Sequence, residues 1–501
     1  MKYDVIVIGS GLGGLASAVL LAKNGYKVCV LEMNNQVGGT LQAYSREKTI
    51  FDSGVHYVGG LDKGQNLYQV FKYLGIMDKL KIRKLDEDAY DVVMFDDDPK
   101  VYKYGQGYDR FIRNLVSDFP EEEEVIREYC EFIKRVCKGF PLYNLRSGNY
   151  MEEGNIGGID TRTYLESITA NKKLQNVLAG TNLLYAGQPD KTPFYVHALI
   201  VNSYIESSYR FVDGGAQIAR TLHQQLSACN SVVLRHKKVV RLVEQEGTIK
   251  IAETEDGSSY EATYFISNVH PVKTMEMVDS DMIKKAYRTR LQGLENSIST
   301  FYVNIVLKKN TFPYQNRNYY FFEDYDVWSA MNYTKDSWPR NYGLFFTLSS
   351  KTKEYADGLT IMTYMRYDEV AQWGNTYHTV LNDVSRGEGY EDFKKRKEEK
   401  LLNLVEKRFP GLKDCIQSIH SGTPLSLRDY LGTDDGTLYG VVKDYHDPLK
   451  TFISPNTKIP NLFLTGQNLN LHGILGVSMS AVVTCSRILG MEYLVEKIKN
   501  A

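Results

Sequence analysis

At 501 residues the chain exceeds what one hydrophobic core ordinarily fills, so two domains are expected. The 43% apolar and 24% charged fractions describe an ordinary globular protein, not a disordered or fibrous one. A net charge of −1 supplies no basic field, which excludes nucleic acid as an expected partner.

The chain opens on an apolar run, Val5-Ile6-Val7-Ile8, followed by Gly9-Ser10-Gly11-Leu12-Gly13-Gly14. A buried strand feeding a glycine turn and then a helix is the arrangement that seats a pyrophosphate at a helix N-terminus. Gly9 permits the tight turn, Gly11 lets backbone approach the phosphates, and Gly14 lets helix and strand pack closely. A second apolar run, Val28-Cys29-Val30-Leu31, ends at Glu32, where a carboxylate can accept ribose hydroxyls. With a strand starting at the third residue, no signal or transit peptide is expected, and the compartment expected is the cytoplasm.

Helical segments come next, over 66–74 and from Pro120 onward. Proline followed by Glu121 to Glu124 suits a helix start, with acids at the positive dipole end. Val125, Tyr129, Phe132, Ile133 and Val136 then form a core-facing apolar stripe. Cys130 and Cys137 fall on this helix as expected buried or half-buried thiols, and no cysteine or histidine has metal-ligand spacing. After Gly214-Gly215 a helix is expected over 216–226. Short apolar runs at 232–234, 239–244, 249–253 and 260–267, split by Glu246-Gly247 and Asp256-Gly257, then suggest one strand meander. Aromatic and β-branched residues from 297 to 367 suggest a larger mixed sheet, and 391–406 reads as a solvated helix. Near the end, Asn461-Leu462-Phe463-Leu464-Thr465 is a strand delivering Gly466-Gln467 and then the turn Gly473-Ile474-Leu475-Gly476. Residues 467–486 carry no acid or base, yet their Gln, Asn, His, Gly and Ser suit a helix buried in protein better than a bilayer span. Nucleotide-binding pieces thus stand at the start, middle and end, so the remainder is expected as insertions.

The acid Glu32, a gap of five residues and the pair Gly38-Gly39 resemble the two-dinucleotide-motif flavoproteins: amine oxidases, phytoene desaturases and carotenoid isomerases. Within them, Phe51-Asp52-Ser53-Gly54-Val55-His56-Tyr57-Val58-Gly59, Gly422-Thr423-Pro424-Leu425 and Thr465-Gly466-Gln467 are similar to the all-trans-retinol saturases. Thr40, where amine oxidases carry arginine, and Gln467, where many members carry aspartate, favour the saturase-like branch. The resemblance implies an α/β fold: a Rossmann-like FAD domain with an interleaved α+β substrate domain. The expected division is 1–61, 206–274 and 441–501 for FAD, and 62–205 and 275–440 for substrate. It implies FAD contacts from Gly9, Ser10, Gly11, Leu12, Gly13, Gly14, Glu32, Met33, Gly38, Gly39, Thr40, Gly54 and Val55. Further contacts are implied for Val239, Gly466, Gln467, Gly473, Ile474, Leu475 and Gly476, with backbone amides of the last turn facing the flavin pyrimidine edge. Gly214-Gly215 resembles a family turn near the cofactor. Asn268 is open between a capping and a cofactor role.

The implied reaction acts on a carbon–carbon bond of a hydrophobic polyisoprenoid or retinoid-like substrate: saturation first, then desaturation, then isomerisation. It needs an electron donor or acceptor of unknown identity and implies peripheral membrane contact. His56, Tyr57 and His472 are the candidate proton donors, imidazole having a pKa near working pH, and His197 is a candidate pocket residue. Three alternatives remain open here. They are a flavin amine oxidase, a non-enzymatic prenyl-binding protein of this fold and a nicotinamide dehydrogenase, the last leaving Gly38-Gly39 unexplained.

Overall fold

The computed structural model describes residues 2–148, 151–152, 156–379 and 382–501. Two seven-stranded sheets organise them. In the first, the order is Val232–Leu234, Val28–Leu31, Lys2–Ile8, Ser259–Ser267, Thr248–Thr254, Val239–Gln245, with Leu462–Leu464 also paired to Ser259–Ser267. The five strands 2–8, 28–31, 232–234, 259–267 and 462–464 run parallel; only 239–245 and 248–254 are antiparallel. Val28–Leu31, buried on both faces, reads as the continuous run Val-Cys-Val-Leu, not as an alternation.

The helix Leu12–Ala22 follows the first strand, and every one of its residues is buried. It packs against both the sheet and the long helix Gly473–Leu489, whose Cys485 thiol donates to the Ser17 carbonyl. A Cβ on Gly14 would fall well inside the Gly9 carbonyl oxygen, so the close strand–helix packing expected of that glycine is present. The segment after Gln467 is likewise a buried helix in protein, and among the described residues no helix is long and apolar enough to cross a membrane.

The second sheet runs Ile416–Gly422, Ser299–Leu307, Gly358–Met365, Asn341–Phe346, Asn318–Phe322, Asp91–Phe95, Asp98–Tyr104. Neighbours are antiparallel except Asn318–Phe322 with Asp91–Phe95. Helices Glu123–Lys138 and Phe194–Glu206 pack on it in one core. The stripe residues Tyr129, Ile133 and Val136 are buried there, with Val125 and Phe132 packed against them. Cys130 and Cys137 are buried free thiols on that helix.

Two expectations need correction. Val232–Leu234 is not part of the meander: it crosses to the opposite edge and pairs parallel with Val28–Leu31, because its short apolar run suits either edge equally. The stretch between 74 and 120, to which the sequence assigned no element, contains the strands Ile82–Lys84, Asp91–Phe95 and Asp98–Tyr104, and full burial of Val92, Val93 and Phe95 hides any alternation in the second of them. The helix after Pro120 begins with a 3-10 turn over Pro120–Glu122, and the α-helix proper starts at Glu123.

Candidate functional site

The parallel strands of the first sheet end together at Ile8, Leu31, Ser267 and Leu464, and the residues that follow each end converge. In open α/β sheets this edge is where ligands bind, because the loops leave the strands there with unsatisfied backbone. A cavity of about 810 Å3 opens at that edge and runs on to the second sheet. Gly9 to Gly13, Glu32 to Asn34, Asn268 and Gln467 line its near end. Its far wall is apolar and aromatic, with Leu199, Tyr204, Phe345, Met362, Leu438 and Tyr439.

The near end is made of backbone. Gly38 and Gly39 both have left-handed φ values of 125° and 57°. Gly39 lies so close to the first turn that a Cβ there would sit 3.1 Å from the Gly11 Cα. The Gly38 N–H donates to Ser10 Oγ at 3.1 Å, and the Ser10 N–H donates to Glu32 Oε2 at 2.9 Å. Ser10 Oγ donates to the same carboxylate at 2.5 Å, and Glu32 Oε1 accepts the Asn34 N–H at 2.8 Å. Both glycine segments are therefore tied to one buried carboxylate at a strand end. Asn268 closes the cradle from behind: Cβ atoms on Gly11, Gly13 or Gly466 would each run into its side-chain amide. Two helix N-termini reach the cavity without a side-chain cap, at Leu12–Ala22 and Gly473–Leu489. Their free N–H groups favour negative charge. Asn470 Oδ1, on the cavity wall, is buried with no partner.

All of the anticipated cofactor residues line this cavity except Gly14, Gly38 and Gly466. Gly14 is beneath the Gly9 turn, Gly38 is behind Ser10, and Gly466 packs on Gly13. Gly214-Gly215 does not line it: Gly215 N–H instead donates to Asp52 Oδ1 at 2.7 Å.

The candidate proton donors His56, Tyr57 and His472 all line the cavity. His472 Nε2 lies 3.0 Å from the Leu184 carbonyl, and its ring tilts over Tyr439 at 4.3 Å between centroids. Burial pulls its pKa down to about 4. Tyr57 presents its ring, but its hydroxyl is committed to Asp91 Oδ2 at 2.7 Å and Tyr320 at 2.5 Å. Burial, then the Asp91 charge, push that hydroxyl far above the phenol range. Asp91 also accepts from Asn318 Nδ2 at 2.8 Å, and Asn318 Oδ1 accepts from Arg210 Nη2 at 2.6 Å. Burial raises the Asp91 carboxyl to about 7. His56 stacks on Phe345, and burial, then Arg210, pull its imidazole down to about 4.

His197 is a correction. It is fully buried away from the cavity, its two ring nitrogens bonded to Tyr129 at 2.7 Å and Tyr185 at 2.8 Å. Sequence reading missed Lys443, whose ammonium donates to the carbonyls of Thr451, Asn468 and Leu469 just before the last turn. Burial brings it down to about 7. Among the described residues no group of His, Cys, Asp and Glu could hold a metal ion.

Residues 7–74 match the NAD(P)-binding Rossmann-like domain. The chain is 28% identical to the all-trans-retinol 13,14-reductase of Rattus norvegicus, over 97% of this chain and 86% of that protein. It is 23% identical to a chloroplastic prolycopene isomerase of an Oncidium hybrid cultivar, over 98% and 85%. Among solved structures, an oxidoreductase from Methanosarcina mazei superposes with a TM-score of 0.63 at 16% identity, covering 96% of this chain and 99% of the other. A putrescine oxidase does so with 0.65 at 12%, covering 98% and 99%, a likeness of fold.

Proposed function

We propose that this chain, an oxidoreductase of the retinol 13,14-reductase and carotenoid isomerase family, holds FAD and saturates a carbon–carbon double bond of a retinoid or polyisoprenoid substrate. One observation carries the reading: a single cavity joins a glycine-built cradle at the parallel strand ends to a wall of aromatic and aliphatic side chains.

The residues present fit such a cofactor, since the backbone of Gly9 to Gly13 and of Gly39 walls the near end of the cavity, and Asn470 offers an oxygen without a partner among the described residues. The turn Gly9–Gly13 and the amides opening Leu12–Ala22 would hold the pyrophosphate, Glu32 the ribose, and Val239 the adenine. Gln467 would bond the ribityl chain, and the amides of Gly473 to Gly476 the pyrimidine edge. Bound there, FAD supplies hydride transfer at carbon. Gly14, Gly38 and Gly466 shape the cradle from behind. The far wall holds the alkene by apolar contact and keeps water out, each buried CH2 contributing about 0.8 kcal/mol. His56 and His472, both neutral at pH 7, stand where a proton could be delivered to the carbon opposite the hydride. Tyr57 orients the wall, its hydroxyl being held in the core. The electron donor is an external reductant. A substrate that dissolves in bilayers implies docking of this chain at a membrane surface from the cytoplasm.

The test is purification followed by anaerobic photoreduction of the bound flavin and single-turnover reoxidation. All-trans-retinol is expected to reoxidise it and yield a product two hydrogens heavier. Colourless folded protein that refuses FAD overturns the reading. So does reduction of the oxidised flavin by putrescine, with peroxide released when oxygen reoxidises it, if retinol, simple enones and carotenoids all leave the photoreduced flavin unchanged.

A further inference from the structure

Behind the cavity wall lies a small chamber of about 20 Å3, enough for one water molecule, which needs about 10–15 Å3. It is bounded by Asp52 at the end of the strand Thr49–Asp52, by His56, by Arg210 on the strand Ser208–Phe211, by Phe345 and Thr360 of the second sheet, and by Thr347 just past its strand Asn341–Phe346. His56 and Phe345 belong to its wall and to the wall of the large cavity alike. Their rings lie face to face, 4.6 Å between centroids and 11° from parallel. The stacked pair is thus the partition between a polar chamber and the apolar cavity.

Hydrogen bonding in the chamber is incomplete. Asp52 Oδ1 accepts the Gly215 N–H at 2.7 Å, and its other oxygen has no partner among the described residues. Arg210 is 2% exposed. Its terminal nitrogens serve Tyr314, Gln315, Arg317 and Asn318, yet its Nε is buried with none. Neither ring nitrogen of His56 is hydrogen-bonded to a described residue, in contrast to His197 and His472. Three groups that require partners therefore surround a space of one water, and buried polar groups without partners are costly unless water serves them.

We propose that Asp52, one water and His56 form a proton relay from this chamber into the large cavity, Asp52 being the proton store and His56 the relay that faces substrate. The inference rests on the saturase reading above. As the alkene forms a C–H bond with hydride from the reduced flavin at one carbon, its π pair moves to the other carbon and takes the proton from one ring nitrogen of His56. The opposite ring nitrogen takes a proton from the water, and the water takes one from the Asp52 carboxyl. A neutral imidazole of the other tautomer and a carboxylate beside Arg210 remain; the flavin is oxidised by two electrons and the alkene reduced by two.

Electrostatics suit this order. Burial raises the Asp52 carboxyl to about 7, so it carries a proton near neutrality. Burial, then the Arg210 charge, lower His56 to about 4, so it passes a proton without keeping one. His56 and Arg210 are the only titratable groups that face Asp52 across the chamber among the described residues.

The experiment uses the whole chain loaded with FAD and reads protons directly. Infrared titration should detect a protonated, deuterium-sensitive carboxyl that ionises near pH 7, present in wild type and in Asp91→Asn but lost in Asp52→Asn. In protein labelled with 15N-histidine, the resonance assigned by His56→Gln should shift over the same pH range and stop doing so in Asp52→Asn. With all-trans-retinol as probe, the product-forming half-reaction should slow about a hundredfold in Asp52→Asn, while flavin binding and photoreduction stay intact. An Asp52 that is ionised throughout pH 5 to 9, or a His56 resonance indifferent to Asp52→Asn, overturns the relay. Should Asp52→Asn fail to fold, His56→Gln decides: a carboxyl band unmoved by that change also overturns it. If wild type reduces no retinol, the saturase reading fails, while the two spectroscopic readouts still decide the chamber.

Discussion

The sheet built on Lys2–Ile8 meets the cavity with backbone, whereas the sheet built on Ser299–Leu307 meets it with side chains. On the first side the important atoms are N–H groups, and the residues that matter are the ones lacking a Cβ. On the second, Phe345 and Met362 supply the wall, and polar side chains behind it are linked in networks such as Arg210–Asn318–Asp91–Tyr57. A backbone cradle tolerates no added atom but asks little of charge. A side-chain wall tolerates reshaping but not a polar group left alone.

Substitution can break that contrast. The largest effect is expected from Gly14→Val, whose branched side chain must displace the Gly9 turn itself. Urea denaturation should find it destabilised by more than about 4 kcal/mol, and a cooperative transition at the wild-type midpoint would refute the packing described. Gly11→Val adds bulk only against the movable Asn268 amide. It should therefore fold within about 1 kcal/mol of wild type, yet copurify colourless. Stoichiometric flavin in that variant would show that the first turn is not the cradle.

On the side-chain wall, Asp91→Ala takes the carboxylate acceptor from the bonded Tyr57–Tyr320 hydroxyl pair and from the Asn318 amide in the core. It should cost about 2–3 kcal/mol in chemical denaturation, and Asp91→Asn should recover part of it. A loss no larger than that of a surface alanine would dissolve the network. The smallest effect sharpens the comparison by pH. His197 is lowered to about 3 by burial. Its contribution is therefore present above the unfolded value of about 6.5 and is lost as pH falls toward the folded one. His197→Phe should cost about 1–2 kcal/mol at pH 7, and the gap from wild type should shrink below pH 6.5, close, and reverse before pH 4. A gap that widens on acidification would mean that His197 is charged in the folded protein.

Much of the cradle was legible because its rules are local. Gly9-Ser10-Gly11 after four apolar residues, Glu32 after four more, and a charge-free stretch after Gly466 each announce their backbone within a short window. Asn268 carried the same kind of cue, following a parallel strand end as Glu32 does, but an asparagine suits a cap equally well. The strand Asp91–Phe95 was missed because its residues are buried or half-buried on both faces and leave no alternation to read. His197 looked like a pocket residue because a histidine among apolar neighbours carries no mark of which hydroxyls will meet it.

What the order of residues alone determined is the strand–turn–helix framework at the two ends of the chain, since glycine spacing acts through local backbone geometry and needs no distant partner. Which histidine faces the cavity, which carboxyl stands behind it, and that Asp52, His56 and Arg210 share one chamber were decided only by tertiary packing. Burial and unmatched hydrogen bonds, which set how these groups hold a proton, are properties of neighbours brought together from far along the chain.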